Sequence, residues 1–355
     1  MAKIQKDIPL APFNTFSVPS IAKYFIEVDS TDDLRHLGDF DRTFFLGAGA
    51  NVLFVDQTFE GLIIKNNLRG KKIVEEDSDS VTVEIASGED WHEFVMWTVE
   101  NNWSGIENLA LIPGTVGAAP VQNIAAYGQT AGGAIASVSG LNFGGFISNT
   151  ISSSDCKFYY RDSIFKHDLK NKFFVTSVAF KLSKSFNFST SYWGVRPNES
   201  LQAEIDKLSE PPYSPKIVAQ AVINLRKIKL PDWRVTPTAG SVFKNPFISK
   251  MTLTHLQKAI PNLQVYPVDN MLYPNPADPV FKMSDMVKIP AGQLLDKLGW
   301  LGKKIGNVST HPKHALIVIN CGGATGKEIY EYIQSMKADV KKNFGIDLEE
   351  EIVIV

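Results

Sequence analysis

The sequence predicts an α+β chain of more than one domain, and three observations predict it. Short β-rich runs separated by glycine-rich loops fill the first two-thirds, three amphipathic helices interrupt them, and an acid-led apolar run closes the chain. The β-rich runs are 23–28, 43–46, 61–64, 81–85 and 173–182. In the helix predicted over 89–101, Trp91, Phe94, Val95 and Val99 fall on one face. In the helix over 215–229, Ser214 is the N-cap, Pro215 the first helical residue, and Val218, Ala221, Val222 and Leu225 the apolar stripe. Thr325 and Glu328 read as a capping box for a helix buried through Ile329, Ile333, Met336 and Val340. Residues 349–355 read as a terminal strand, and 284–299 as helix-like.

Composition shifts mark two boundaries, a clear one near 230 and a weaker one near 70 at the charged turn Arg69-Gly70-Lys71-Lys72. The 355 residues are enough for two or three domains. With 44% hydrophobic and 21% charged residues and a net charge of −2, the chain lacks the basic field of a general nucleic-acid binder. It has no run of about 18 apolar residues, so no membrane insertion is expected. Cys156 and Cys321, far apart, fit a reducing cytoplasm without a disulfide framework. The six histidines are scattered, and the closest pair, His311 and His314, lacks cysteine or carboxylate partners nearby. No metal site is expected.

Three stretches carry candidate chemistry. Residues 45–53, Phe-Leu-Gly-Ala-Gly-Ala-Asn-Val-Leu, follow an apolar strand, and Gly47 and Gly49 let consecutive N–H groups form an anion-binding nest. The spacing is not a dinucleotide fingerprint, and a plain tight turn explains it as well. Residues 112–128 hold hardly any bulky side chain except Tyr127, which suits a flat ligand against the backbone or close packing of two loops. Together the loops suit an extended cofactor with a central pyrophosphate. Residues 240–246, Gly-Ser-Val-Phe-Lys-Asn-Pro, combine a hydroxyl, an ammonium and a carboxamide. In extended form Ser241, Phe243 and Asn245 share one side, with Val242 and Lys244 opposite.

The motifs GAGANVL, IPGTVGAAPVQNIAAYG, YRDSIFK, KLPDWRV, AGSVFKNP and LEEE, in this order between residues 14 and 351, resemble the UDP-N-acetylenolpyruvoylglucosamine reductase (MurB) family. The resemblance implies a two-part flavin domain of the vanillyl-alcohol-oxidase or PCMH type and a C-terminal α+β substrate-binding domain. The parts would be 1–70, joined by the returning end 346–355, then 71–230, then 231–345. It implies FAD and NADPH as cofactors, and a UDP-sugar whose enolpyruvyl ether is reduced to a lactyl ether during peptidoglycan synthesis. A monomeric cytoplasmic enzyme is expected. A flavin oxidase on the same fold and a silent UDP-sugar-binding protein are the alternatives. Retention of Ser241, Arg161 and Glu351 speaks against the second, since binding alone needs no proton donor.

Carried over by motif, Ser241 is implied as general acid, and Arg161 and Glu351 as the pair that stabilises an enolate. Gly47, Ala48, Gly49, Ala50, Asn51, Pro113, Gly114, Thr115, Gly117, Ala118, Gln122, Asn123 and Arg226 are implied as flavin contacts. Tyr127, Lys229, Lys244, Asn245 and His314 are implied on the substrate side, with Tyr192 in the tyrosine-bearing loop of the long, type I branch. Four positions depart from the family pattern. Ala50 replaces a serine, Glu350 a proline, His314 a glutamine and Val353 an arginine.

Overall fold

The computed structural model describes residues 2–34, 37–38, 40–186, 200–266, 268 and 285–355. Tyr192 and its expected loop lie outside the described residues. Strands and helices alternate irregularly along an α+β chain. Two compact units result: Met1–Lys6, Tyr24–Ala48 and Glu60–Ile228 form one, and Asp7–Lys23, Gly49–Phe59 and Lys229–Val355 the other.

In the first unit, five antiparallel strands lie in the order Ile147–Ser152, Ile135–Asn142, Phe173–Ser183, Ser80–Ala86 and Lys71–Glu76. Alternation along the central strand buries Val178, Phe180 and Leu182 and, beyond a register shift, Phe173 and Val175 in one core. The helix Trp91–Glu100 starts on Asp90, whose side chain accepts from the Glu93 N–H, and buries Trp91, Phe94, Val95 and Val99 as its spacing predicts. The Trp91 indole N–H donates to the Leu109 carbonyl at 3.0 Å, so the bulk of the ring enters the core without an orphaned donor. The helix Pro215–Lys229 buries Val218, Ala221, Val222 and Leu225 in the same core. The strand Thr43–Leu46 runs parallel to Thr58–Asn66, above a smaller cluster of Ile26, Val28, Leu62, Ile64 and Phe174.

The second unit is stitched from distant segments. Its antiparallel sheet joins Lys304–Ile305, Val308–His311 and His314–Asn320. The capping box of Thr325 and Glu328 is formed, and the helix Gly326–Phe344 buries Ile329, Ile333, Met336 and Val340. Each such side chain contributes roughly 1.5–3 kcal/mol on leaving water. A Cβ on Gly326 would lie 1.7 Å from the Phe54 carbonyl oxygen, so only glycine lets the helix start there. The Asn320 amide donates to the Phe16 carbonyl at 2.9 Å, and the Thr238 N–H to the Thr15 carbonyl at 2.9 Å.

Two expectations are corrected, and one element is added. The stretch 284–299 is not one helix: Met286–Lys288 is a strand paired with Phe247–Ser249, and the helix Ala291–Lys297 begins only after Pro290. Proline drives the residue before it out of helical conformation, which separates the two elements. The terminal strand is shorter than 349–355, because bends at 351–352 leave only Val353–Ile354 in it, parallel to Val52–Leu53. The helix Lys250–Ala259 was not anticipated; Ser249 caps it by accepting from the Thr252 N–H.

Candidate active site

Four non-glycine residues of the first unit take left-handed backbone around one cluster: Leu111 (φ 59°), Asn123 (42°), Tyr127 (46°) and Arg161 (54°). Each such residue costs on the order of 1–3 kcal/mol and persists only where its surroundings over-determine it. Here they do. Arg226 Nε donates to the Leu111 carbonyl at 3.3 Å, and Asn108 Nδ2 to the Tyr127 carbonyl at 2.8 Å. Asn123 is gripped at both ends, donating to the Tyr159 carbonyl at 2.8 Å and accepting from the Gly132 N–H at 2.9 Å. Arg161 Nη2 donates to the Ala125 carbonyl at 2.9 Å, and its guanidinium stands 5.7 Å from the centre of the Tyr160 ring. Lys166 Nζ reaches the Arg161 carbonyl at 3.1 Å and Gln122 Oε1 at 3.4 Å.

Arg226 senses both Tyr127 and Arg161. Burial pulls the Arg226 guanidinium below its usual value, Tyr127 opposes this, and Arg161 adds to it. An arginine still keeps its charge, so two cations are concentrated in one half-buried place. That arrangement suits an anionic ligand.

Sequence reasoning missed Glu107, which sits beneath this cluster at 1% exposure. Its carboxylate accepts from the Gly105 N–H at 2.7 Å, Gln129 Nε2 at 2.8 Å and the Ser104 hydroxyl at 3.1 Å. Gln129 Oε1 in turn accepts from the Asn108 N–H at 2.8 Å. Glu107 therefore steadies the turn that Asn108 ties to Tyr127. The available signal was an acid lodged between apolar Ile106 and Leu109, a position that demands dedicated donors.

The glycine loops differ. Among the described residues, none of the backbone N–H groups of 47–51 meets a protein acceptor. In the 112–128 loop, the Val116, Gly117 and Ala118 N–H groups already donate to the Glu89, Ser87 and Thr115 carbonyls at 2.9, 2.8 and 3.0 Å. Close packing accounts for three of the glycines. A Cβ would lie 2.7 Å from Thr115 Oγ1 at Gly47, 2.0 Å from the Phe13 carbonyl oxygen at Gly49, and 2.5 Å from Ser87 Cβ at Gly117. Gly114 faces open space beside Pro113. The open N–H groups of Gly47, Ala48, Gly49, Ala50 and Asn51 fit a pyrophosphate.

In the second unit, residues 241–244 form the middle of a three-stranded arrangement. On one side Ser241 bridges Ile317, and the Val242 N–H donates to the Leu316 carbonyl at 3.0 Å. On the other Phe243 bridges Glu350, the Lys244 N–H donates to the Glu349 carbonyl at 2.9 Å, and the Glu351 N–H to the Val242 carbonyl at 2.8 Å. Val242 and Phe243 are both buried, as in a strand covered on both faces. This register brings Glu351 alongside Val242, next in line to Ser241. Asn51 Nδ2 holds the Glu351 carbonyl at 3.1 Å.

The other two acids are committed elsewhere. Glu349 pairs with the largely buried Lys244, and Glu350 accepts from Lys337 Nζ at 2.7 and 2.8 Å and from Gln334 Nε2 at 2.9 Å. Asn245 Oδ1 accepts from the Ala291 N–H at 3.0 Å and so caps the helix that Pro290 cannot. Burial lowers the His314 imidazole below its usual value, and the charges of His311 and Lys229 add to this, which places Lys229 and His314 in one electrostatic neighbourhood. Among the described residues no cluster of three metal-ligating side chains occurs. Burial pushes the Cys156 thiol up to about 12, with Asp155 adding, so it is no nucleophile.

A sequence profile of the UDP-N-acetylenolpyruvoylglucosamine reductase C-terminal domain matches residues 231–355, and one of an FAD binding domain matches 23–143. A curated UDP-N-acetylenolpyruvoylglucosamine reductase of Flavobacterium johnsoniae is 37% identical, over 99% of this chain and 100% of that protein. The chain belongs to this reductase family. A second member, from Bacteroides fragilis, is 35% identical over 98% of this chain and 99% of its own length. The crystal structure of the family's enzyme from Thermus caldophilus superposes with a TM-score of 0.66 at 18% identity, covering 100% of this chain and 99% of that one, which shows a shared fold. The chain is thus an FAD-binding oxidoreductase of the family, and no described helix is long and apolar enough to cross a membrane.

Proposed function

We propose that this member reduces the enolpyruvyl ether of UDP-N-acetylglucosamine to the lactyl ether, with NADPH as electron source, as a step of peptidoglycan synthesis. Bound FAD supplies the chemistry of hydride acceptance and delivery. The overall change adds a hydride to the vinyl CH₂ carbon and a proton to the carbon bearing the carboxylate, while NADPH becomes NADP⁺. Hydride addition leaves an enolate whose charge gathers on the carboxylate oxygens. Arg161 supplies a permanent cation with two parallel donors for those oxygens. Glu351 is proposed as the companion of Arg161 in stabilising that enolate. Ser241 gives the proton to the carbanion; it is a weak acid, but the acceptor is strongly basic. Lys229, His314, Tyr127, Lys244, Asn245 and Tyr192 are proposed to bind the UDP-sugar. Gly47 to Asn51, Gly114 and Arg226 are proposed to hold the FAD.

The observation that carries this reading is the register of 349–351 against 242–244, which fixes Glu351 next in line to Ser241. Rapid mixing tests it. Ser241→Ala should leave flavin reduction by NADPH near normal and slow reoxidation by the enolpyruvyl substrate by roughly 10²–10³-fold, the scale of a positioned catalytic group. Slowed reduction with untouched reoxidation would refute the assigned role. The functional division into 1–70 with 346–355, 71–230 and 231–345 accompanies the reading. Limited proteolysis should nick near 70 and 230, and first cuts deep inside 71–230 would oppose it.

A further inference from the structure

The backbone alone holds the Glu351 segment weakly. Among the described residues, 349–352 share one bridge and two backbone hydrogen bonds with 242–244, and bends follow at 351–352. Register is poorly specified in so short a pairing. Besides Asn51 Nδ2 on the Glu351 carbonyl and the Lys244–Glu349 pair, a third side chain fastens it from the middle, Glu350. Its carboxylate receives Lys337 Nζ at 2.7 and 2.8 Å and Gln334 Nε2 at 2.9 Å. Burial works to raise the Glu350 carboxyl, yet the hydrogen bonds from Lys337 and Gln334 outweigh it and hold the group below the ordinary glutamate value.

Lys337 and Gln334 lie three residues apart, on one face of the helix Gly326–Phe344. That helix is a rigid platform, since Ile329, Ile333, Met336 and Val340 are fully buried on it. Charge-assisted bonds from a fixed helix to a carboxylate define a position, not merely an attraction. Glu350 sets where its chain neighbour stands, and that neighbour is Glu351.

We propose that Lys337 and Gln334 are positioning residues: through Glu350 they lock the register of residues 349–352 against 242–244 and so fix the carboxyl of Glu351. The functional half of this inference rests on the role given to Glu351 above. Neither side chain touches substrate in this scheme.

Amide hydrogen exchange on the flavin-loaded enzyme tests the lock without using activity. Lys337→Met should speed exchange at the Glu351 and Lys244 amides by about tenfold or more, with the buried face of the Gly326–Phe344 helix unchanged. Lys337→Arg, which keeps a cation and paired donors, should restore protection. In rapid mixing, Lys337→Met should slow flavin reoxidation by substrate about tenfold and leave reduction by NADPH alone, with Lys337→Arg close to wild type. Should Lys337→Met not fold, Gln334→Met removes one hydrogen bond and no charge, and should shift both readouts in the same direction by less. Unchanged exchange at Glu351 overturns the lock. Faster exchange with unchanged reoxidation overturns its catalytic purpose. Glu351→Gln turning over at the wild-type rate would remove the role given to Glu351 alone, while the exchange data still decide the lock.

Discussion

The two glycine-rich loops look alike in sequence and are built in opposite ways. The 47–51 loop keeps its backbone N–H groups open, whereas the 112–128 loop commits those of Val116, Gly117 and Ala118 to neighbouring carbonyls. Both use glycine because protein atoms crowd the missing Cβ, as Phe13 does at Gly49 and Ser87 at Gly117. A small-residue loop is therefore no evidence of a ligand by itself. What separates a binding loop from a packed one is where its donors go. The first loop offers backbone donors; the second offers a shape, held by left-handed residues and a buried acid.

Substitutions can break this contrast. Gly49→Ala meets both a left-handed φ of 66° and the Phe13 carbonyl oxygen, and should cost on the order of 3 kcal/mol in a urea melt. It should also weaken FAD binding, because any relief displaces the open N–H groups. Gly117→Ala, blocked by Ser87 Cβ at 2.5 Å, should cost roughly 1–3 kcal/mol. In the fraction that stays folded, FAD affinity should change little, since the N–H groups of 116–118 already donate to neighbouring carbonyls; a large affinity loss by titration would contradict the contrast. Ala50→Ser restores a hydroxyl beside the open donors and should tighten FAD by about 1 kcal/mol, with the melt unmoved.

The smallest effect is one of pH. His92 Nδ1 accepts from the Leu111 N–H at 3.1 Å at the head of the second loop. Burial lowers its pKa, Asp90 and Glu93 oppose the shift, and Arg226 and Lys227 add to it. The unfolded chain then takes up the proton first. Stability is full above the ordinary histidine value, near 6.5, falls as pH drops through the lowered folded value, and levels off below it. Urea melts at successive pH values should show this slope, and His92→Gln should flatten part of it.

Much of the fold was legible in the sequence because helical periodicity is a local signal. Trp91, Phe94, Val95 and Val99, or Ile329, Ile333, Met336 and Val340, reveal their buried face through spacing alone. The break at Pro290 was equally local and was misread because the apolar pattern runs through it. The bends that shorten the terminal strand belong to tertiary structure, set by Asn51, Val242 and the last long helix. The motif residues could be named from resemblance, yet their surroundings could not. Nothing in the order Glu-Glu-Glu says that the first pairs with Lys244 and the second with Lys337. Nor does the sequence announce that Asn245 caps a helix 46 positions later.

The second unit gathers Asp7–Lys23 and Gly49–Phe59 with Lys229–Val355. On the ribosome its two early pieces emerge well before the residues they pair with. The Val52–Leu53 strand waits for Val353–Ile354, and Phe16 for Asn320. Partners so far apart make closure slow and leave apolar edges exposed meanwhile. A chaperone-poor translation system should therefore lose this unit to aggregation before it loses the first.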